Sequence, residues 1–201
     1  MTQKQKTHRL AVAAMLTAVA AVLQFVEFAI PLMPSFIKLD ISDLPALLGT
    51  FSLGPVYGVA IQLAKNLLHL PFGSSAGVGE LSNFILGAVF VFVAGIIYKH
   101  NKSRKSALVG SVAGAAAMVL VSIVTNYFIV YPAYVVLYKL PLEAIVGMYE
   151  AILGGVSHVP TQNALLNCLL VFNVPFTLVK GLLDTALCFL IYKPLSPLLH
   201  R

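Results

Sequence analysis

The chain has 201 residues, of which 59% are hydrophobic and only 10% are charged. A soluble domain carries roughly 25% charged residues, so this composition excludes a water-soluble globular protein. The net charge of +6 does not indicate a nucleic-acid partner, because the basic residues lie at the ends of apolar runs, where they set orientation in a membrane. The sequence therefore predicts an all-α, multi-pass membrane protein.

Six helices are predicted in chain order from the long apolar runs. Their approximate bounds are 10–30, 43–53, 55–70, 79–98, 106–138 and 165–192. The second and third are separated at Gly54-Pro55, because proline ends or kinks a helix. A further amphipathic helix is predicted around 142–153. Together these elements form a single membrane domain, residues 1–201.

The positions of the basic residues predict the topology. Nine of the 13 Lys and Arg residues lie in three groups: the N-terminal head, the 99–105 cluster and the C-terminal end. All three groups can face the cytoplasm only if the segment 44–70 crosses the membrane twice. This predicts six transmembrane helices with both termini in the cytoplasm. At least one of the two helices in this segment must be short or partly shielded, which is tolerated where short helices line a protein-enclosed cavity.

Ionisable residues inside the predicted spans are functional candidates, because inserting each one costs about 2.5–3.5 kcal/mol. They are Glu27, Lys65, Glu80, Lys180 and Asp184. Each also has an interpretation without a ligand. Glu27 can reach water, and Lys65 can extend its amine to the interface. Glu80 can cap its helix, while Lys180 and Asp184, four residues apart, can neutralise each other.

Two other patterns leave alternatives open. Asn126 is predicted to be buried and needs a hydrogen-bond partner, either another helix or a ligand. Ala14 and Ala18 form a small-xxx-small face, which either packs within the bundle or docks a separate membrane subunit.

Enzyme signatures in the sequence are thin. It contains no phosphate-binding P-loop, no His-Glu-x-x-His and no paired Cys-x-x-Cys, so neither an ATPase nor a metal site is predicted. Cys168 and Cys188 lie about twenty residues apart on one predicted helix, too far apart to pair with each other, and are predicted to pack. The first apolar run lacks a convincing cleavage site and is predicted to be a retained helix.

Several motifs follow one another along the chain in a recognisable order. They are Lys38-Leu39-Asp40-Ile41-Ser42-Asp43-Leu44-Pro45-Ala46, Gly54-Pro55 with Ala64-Lys65-Asn66-Leu67-Leu68, Gly79-Glu80-Leu81-Ser82-Asn83-Phe84, Thr125-Asn126-Tyr127 with Tyr131-Pro132-Ala133-Tyr134, and Pro175-Phe176-Thr177-Leu178-Val179-Lys180-Gly181. In this order they resemble the riboflavin-specific S component, the substrate-binding subunit, of energy-coupling factor (ECF) vitamin importers.

The resemblance implies a high-affinity riboflavin site that opens to the outside of a bacterial cell membrane. The first loop would form it together with the outer halves of helices four to six. Carried over by position, the substrate-binding residues are Lys38, Leu39, Asp40, Ile41, Glu80, Asn83, Asn126, Thr177 and Lys180. Thr177 stands where the compared family members have Asn.

The resemblance also implies the partners. Riboflavin would be a transported ligand and not a cofactor, lipid would surround the helices, and a T component with two ATP-binding subunits would drive import. Ala14 and Ala18 are then the candidate docking face for the T component. Two other functions remain open: an S component for another vitamin, such as thiamine or biotin, and a stand-alone proton-coupled secondary transporter. The 38–46 motif favours riboflavin.

Overall fold

The computed structural model describes residues 2–35, 37–137, 139, 141–152 and 163–199, with side chains described as far as Ile191. Nine helices are described in these ranges. They are α1 Gln3–Phe25, α2 Asp43–Leu53, α3 Pro55–His69, α4 Val78–His100, α5 Arg104–Thr125, α6 Tyr131–Leu137, α7 Leu142–Ile152, α8 Ala164–Cys168 and α9 Val174–Leu199. The all-α prediction is confirmed. Two short antiparallel strands, β1 Phe28–Ala29 and β2 Lys38–Leu39, brace the loop after α1.

Two π-helical turns join neighbouring helices into longer ones. Asn126–Val130 connects α5 to α6, and Leu169–Asn173 connects α8 to α9. A π turn inserts extra backbone into a helix and is frequently found at functional sites. Both turns carry an asparagine, and both asparagines are buried.

Four helical stretches in the described residues are long and apolar enough to cross a membrane, and two of them include a π-helical turn. They are Gln3–Phe25, Val78–His100, Arg104–Leu137 and Ala164–Ile191. α2 and α3 have 11 and 15 residues, so they are roughly 17 and 23 Å long, shorter than the ~30 Å hydrocarbon core. The chain is thus a helical membrane protein, while the six crossings and the cytoplasmic termini stay predictions.

The junction between α2 and α3 is a sharp turn at Gly54. This residue has a φ of 112°, which glycine adopts without strain. Pro55 starts α3, a position where its missing N–H leaves no hydrogen bond unmade. α2 then lies in the centre of the bundle, in contact with α1, α3, α4 and α9. Ten of its eleven residues are buried, so its polar groups must be satisfied by protein.

The main core is tightest between α4 and α5, where glycines allow close approach. A Cβ atom at Gly114 would lie 2.5 Å from the carbonyl oxygen of Phe90, and one at Gly110 would lie 2.7 Å from that of Ala94. Phe90 and Ala94 have no exposed surface. Cys168 and Cys188 are buried and form no disulfide, and each belongs to a hydrophobic core, as expected.

The two ends of the bundle differ in character. One end, called here the loop end, is formed by the end of α1, residues 26–42 and 70–77, and α7. α7 packs onto this end through Ile145 and Tyr149, which are both fully buried. The opposite end, called here the basic end, holds the start of α1 and the α4–α5 connection with its 99–105 cluster.

Candidate functional site

A cavity opens at the loop end between α1, β2, α4, the two π-helical turns and α9. The empty space is about 980 Å³ when its open mouth is included. Its apolar and aromatic walls include Ile37, Leu86, Met118, Val130, Tyr131 and Phe176. The cavity therefore combines apolar walls with a few buried polar groups, described next.

Lys180 of α9 lies at the centre of the polar groups. Its Nζ donates to Asp40 Oδ2 at 2.9 Å and to Asn83 Oδ1 at 3.3 Å, and it lies 3.4 Å from Asp43 Oδ2. Lys180 is only 7% exposed, so these carboxylates compensate a charge that is removed from water. Burial alone would raise the pKa of Asp40, but Lys180 and Lys65 outweigh it and lower that pKa below its usual range.

A second buried lysine supports the first from α3. Lys65 has no exposed surface, and its Nζ donates to Asp43 Oδ1 at 2.6 Å and to the Ser42 hydroxyl. Gln62 Nε2 donates to the same Asp43 oxygen at 2.9 Å. Asp43 thus bridges Lys65 and Lys180. The interpretation that Lys65 extends its amine to the interface is wrong, because the neighbouring carboxylate already compensates its charge inside the bundle.

Asp184 does not pair with Lys180. Lys180 pairs with Asp40 and Asp43, and neither carboxylate oxygen of Asp184 has a hydrogen-bond partner among the described residues. The interpretation that Asp184 neutralises Lys180 is therefore wrong, because the lysine amine pairs with Asp40 of the first loop and Asp43 at the start of α2. Asp184 itself is fully buried.

Two pairs of polar residues flank the mouth of the cavity. Lys38 forms an ion pair with Glu27, and both side chains are about one-third exposed. Glu80 Oε1 lies 2.9 Å from His69 Nδ1, and its Oε2 accepts from Ser75 Oγ at 3.0 Å. Glu80 thus contacts side chains of α3 and of the loop 70–77, so capping of α4 is not its only interaction.

A ring of three side chains closes the aromatic wall. Tyr149 donates from its hydroxyl to Asn173 Oδ1 at 2.6 Å, Asn173 Nδ2 donates to the Tyr131 hydroxyl at 3.1 Å, and the two hydroxyls contact each other. Burial raises the pKa of Tyr149, so its phenol stays protonated and can donate at neutral pH. The ring ties α7 to the wall of the cavity.

Most of the predicted binding residues meet at this one cavity. Those that line it are Lys38, Asp40, Glu80, Asn83, Asn126, Thr177 and Lys180. Leu39 and Ile41 flank Asp40 without lining the cavity, and riboflavin binding by all nine residues stays a prediction. Four more residues line the cavity that were not among the predicted binding residues: Gln24, His69, Tyr131 and Asn173. Among the described residues no three His, Cys, Asp or Glu side chains are grouped to hold a metal ion.

The predicted docking residues lie on a different surface. Ala14 and Ala18 are both exposed on the outer face of α1, away from the buried Val12, Ala20 and Ala21. They do not serve packing within this bundle. This surface is free for lipid or for another membrane protein.

The model of one protein family matches nearly the whole chain. The family is described as the ECF transporter, substrate-specific component, and the match covers residues 8–192. The chain belongs to this family. It is accordingly a transporter component and not an enzyme, and the family resemblance expected from the motifs is confirmed.

Curated relatives of this S component align along its full length. The riboflavin transporter RibU of Staphylococcus aureus is 34% identical, with 98% of this chain and 95% of the relative aligned. The riboflavin transporter FmnP of Bacillus subtilis is 30% identical, with 98% and 96% aligned. A solved structure of the S component of a bacterial ECF transporter superposes with a TM-score of 0.73 at 35% identity, covering 99% of this chain and 100% of that one.

Proposed function

We propose that this chain is the high-affinity riboflavin-binding subunit of an ATP-driven ECF importer in a bacterial cell membrane. The observation that carries the proposal is the cavity at the loop end, with apolar and aromatic walls around a buried lysine. The full-length relatives that are named riboflavin transporters support the choice of ligand. The chain would capture the vitamin and leave its energised release to other subunits.

The chemistry of riboflavin suits this cavity. Its flat, largely apolar ring system fits between walls such as Met118 and Phe176. The carbonyls and ring nitrogens along one edge of the ring match Lys180 and Asn126, which can donate hydrogen bonds to them. Glu80, at the mouth, is placed to accept from hydroxyls of the ribityl tail.

The topology proposed for the chain has six crossings, with α2 and α3 as two short ones. The basic 99–105 cluster lies at the end opposite the cavity, and basic segments favour the cytoplasmic side. The mouth of the cavity would then face outward. The short helix α2 is enclosed by its neighbours, as membranes require of an incomplete span, while α3 packs on α1, α2 and α4.

The proposal is tested by titrating riboflavin into the purified chain in detergent and following quenching of flavin fluorescence. We expect saturable binding of one riboflavin per chain, with a yellow protein and no displacement by excess thiamine or biotin. Displacement by thiamine or biotin at lower concentration than riboflavin itself would assign the chain to that other vitamin.

We further propose that Ala14 and Ala18 dock onto a separate T component that is driven by two ATP-binding subunits. Their exposed small side chains allow another helix to approach closely. Replacing both with Leu is expected to lower riboflavin uptake by about tenfold or more, because close helix packing is blocked. Riboflavin affinity should stay within about twofold, since both residues lie away from the cavity.

The matched control for this pair is Ala116→Leu, which enlarges an exposed alanine on α5. It should leave both uptake and binding unchanged. Normal uptake by the Ala14→Leu, Ala18→Leu double variant would remove this face from the docking surface. The purified chain alone in liposomes should bind riboflavin without accumulating it under a pH gradient, and accumulation there would identify a secondary transporter instead.

A further inference from the structure

Gln24 is a buried amide on the last turns of α1, at the wall of the cavity. It is 3% exposed and lines the cavity. The next residue, Phe25, packs on His69 of α3, with 4.8 Å between the two ring centroids. Gln24 Nε2 donates to Asn66 Oδ1 of α3 at 3.0 Å. Gln24 and the His69–Glu80 pair thus line the same cavity, at the loop end where α1 finishes.

The orientation of the Gln24 amide is fixed through Asn66, which is itself hydrogen-bonded to a backbone carbonyl. Asn66 Nδ2 donates to the carbonyl oxygen of Gln62 at 2.8 Å, and a carbonyl can only accept. Asn66 must therefore turn its Oδ1 toward Gln24. Because Oδ1 is an acceptor, Gln24 must present its NH₂ group there. The amide cannot flip without losing one of these two hydrogen bonds.

This arrangement leaves one atom without a partner. Gln24 Oε1 is buried, and no described residue donates a hydrogen bond to it. Buried polar atoms are nearly always hydrogen-bonded, so such an atom at a cavity wall calls for an explanation. Gln24 lines the cavity, so a ligand bound there can supply the missing donor after a small shift of the side chains that cover Oε1.

We infer that Gln24 is a substrate-recognition residue whose Oε1 accepts a hydrogen bond from a hydroxyl on the tail of the bound substrate. The inference rests on the proposed function and adds to it the class of group that is recognised there. The neighbouring carboxylates of Glu27 and Glu80 are further acceptors at this end, and they suit a hydroxyl-rich tail that donates repeatedly. The donors that suit ring carbonyls, Lys180 and Asn126, are on other elements.

The test compares riboflavin with lumiflavin, which carries the same ring system without the hydroxylated tail. Gln24→Met keeps the size of the side chain and removes its amide. It is expected to weaken riboflavin binding about tenfold, because a hydroxyl of the tail loses its acceptor. Lumiflavin binding should change less than about twofold, since it has no such hydroxyl to lose. Gln24→Leu is the second variant if Gln24→Met fails to fold.

Gln62→Met is the matched control. Gln62 is a buried glutamine on α3 whose Oε1 also lacks a partner, but it does not line the cavity. Its replacement should leave the ratio of riboflavin to lumiflavin affinity unchanged, whatever it does to stability. A Gln24→Met variant that weakens both ligands equally, or neither, overturns the inference while the proposed function stands. Failure of the wild-type chain to bind riboflavin overturns both.

Discussion

Replacing Lys180 with Met is expected to weaken riboflavin binding at least tenfold and to destabilise the folded chain by about 3–5 kcal/mol. The lysine is the shared partner of Asp40 and Asp43, and all three side chains are removed from water. Removing the lysine leaves the two buried carboxylates, whose negative charges are then less well compensated. It also removes a charged donor from the wall of the cavity.

The two effects can be separated by a second substitution. Lys180→Met combined with Asp40→Asn removes one positive and one negative charge, so most of the lost stability should return. Riboflavin binding should stay weak, because the lysine donor is still missing. Thermal unfolding in detergent and fluorescence titration measure the two quantities independently. A double variant that recovers full affinity would show that Lys180 acts only on stability.

Replacing Lys65 with Met is expected to destabilise the chain by a similar amount, about 3–5 kcal/mol, although Lys65 does not line the cavity. Lys65 and its partner Asp43 are both without exposed surface, and the substitution leaves Lys180, already shared with Asp40, as the remaining cation beside the buried Asp43 carboxylate. Riboflavin affinity of the fraction that remains folded should fall less than in Lys180→Met. The measurement is the unfolding temperature, with and without riboflavin.

Lys38→Met provides the matched comparison for Lys65→Met. Lys38 also pairs with a carboxylate, that of Glu27, but both side chains are about one-third exposed. Partly exposed pairs contribute roughly 0–1 kcal/mol, so its loss should change the unfolding temperature little. Equal destabilisation by Lys65→Met and Lys38→Met would contradict the view that burial makes the α3 lysine structurally important.

The helices were predictable because their signals are local. Each helix can be recognised from one continuous stretch of sequence: a long apolar run, a break such as Gly54-Pro55 or a basic cluster. The same applies to the ionisable residues in spans, since any charge in an apolar run is conspicuous. For this reason Glu80 and Lys180 could be selected without a structure.

Partners across the bundle were not predictable in the same way. The spacing of four residues allowed Lys180 to pair with Asp184, but its amine pairs with Asp40, which is 140 residues away in sequence. The enclosure of Lys65 depends on how the first loop folds over α3. Tertiary contacts of this kind have no signature in the sequence of either partner alone.

Gln24 and Asn173 were not among the predicted binding residues for a related reason. A single uncharged amide near the end of an apolar run is common and costs little at a membrane surface. What distinguishes Gln24 is its hydrogen bond to Asn66, which in turn donates to a backbone carbonyl, and this exists only when α1 packs on α3. Asn173 lies on the cavity wall because it belongs to a π-helical turn, and simple sequence periodicity does not predict such turns.

The central claim is that riboflavin binds in the cavity at the loop end, and a structure of the chain with bound riboflavin tests it most directly. We expect the ring system between the apolar walls, with its polar edge toward Lys180 and its tail toward Gln24 and Glu80. Flavin bound at any other surface, with this cavity empty at saturating riboflavin, would contradict the account.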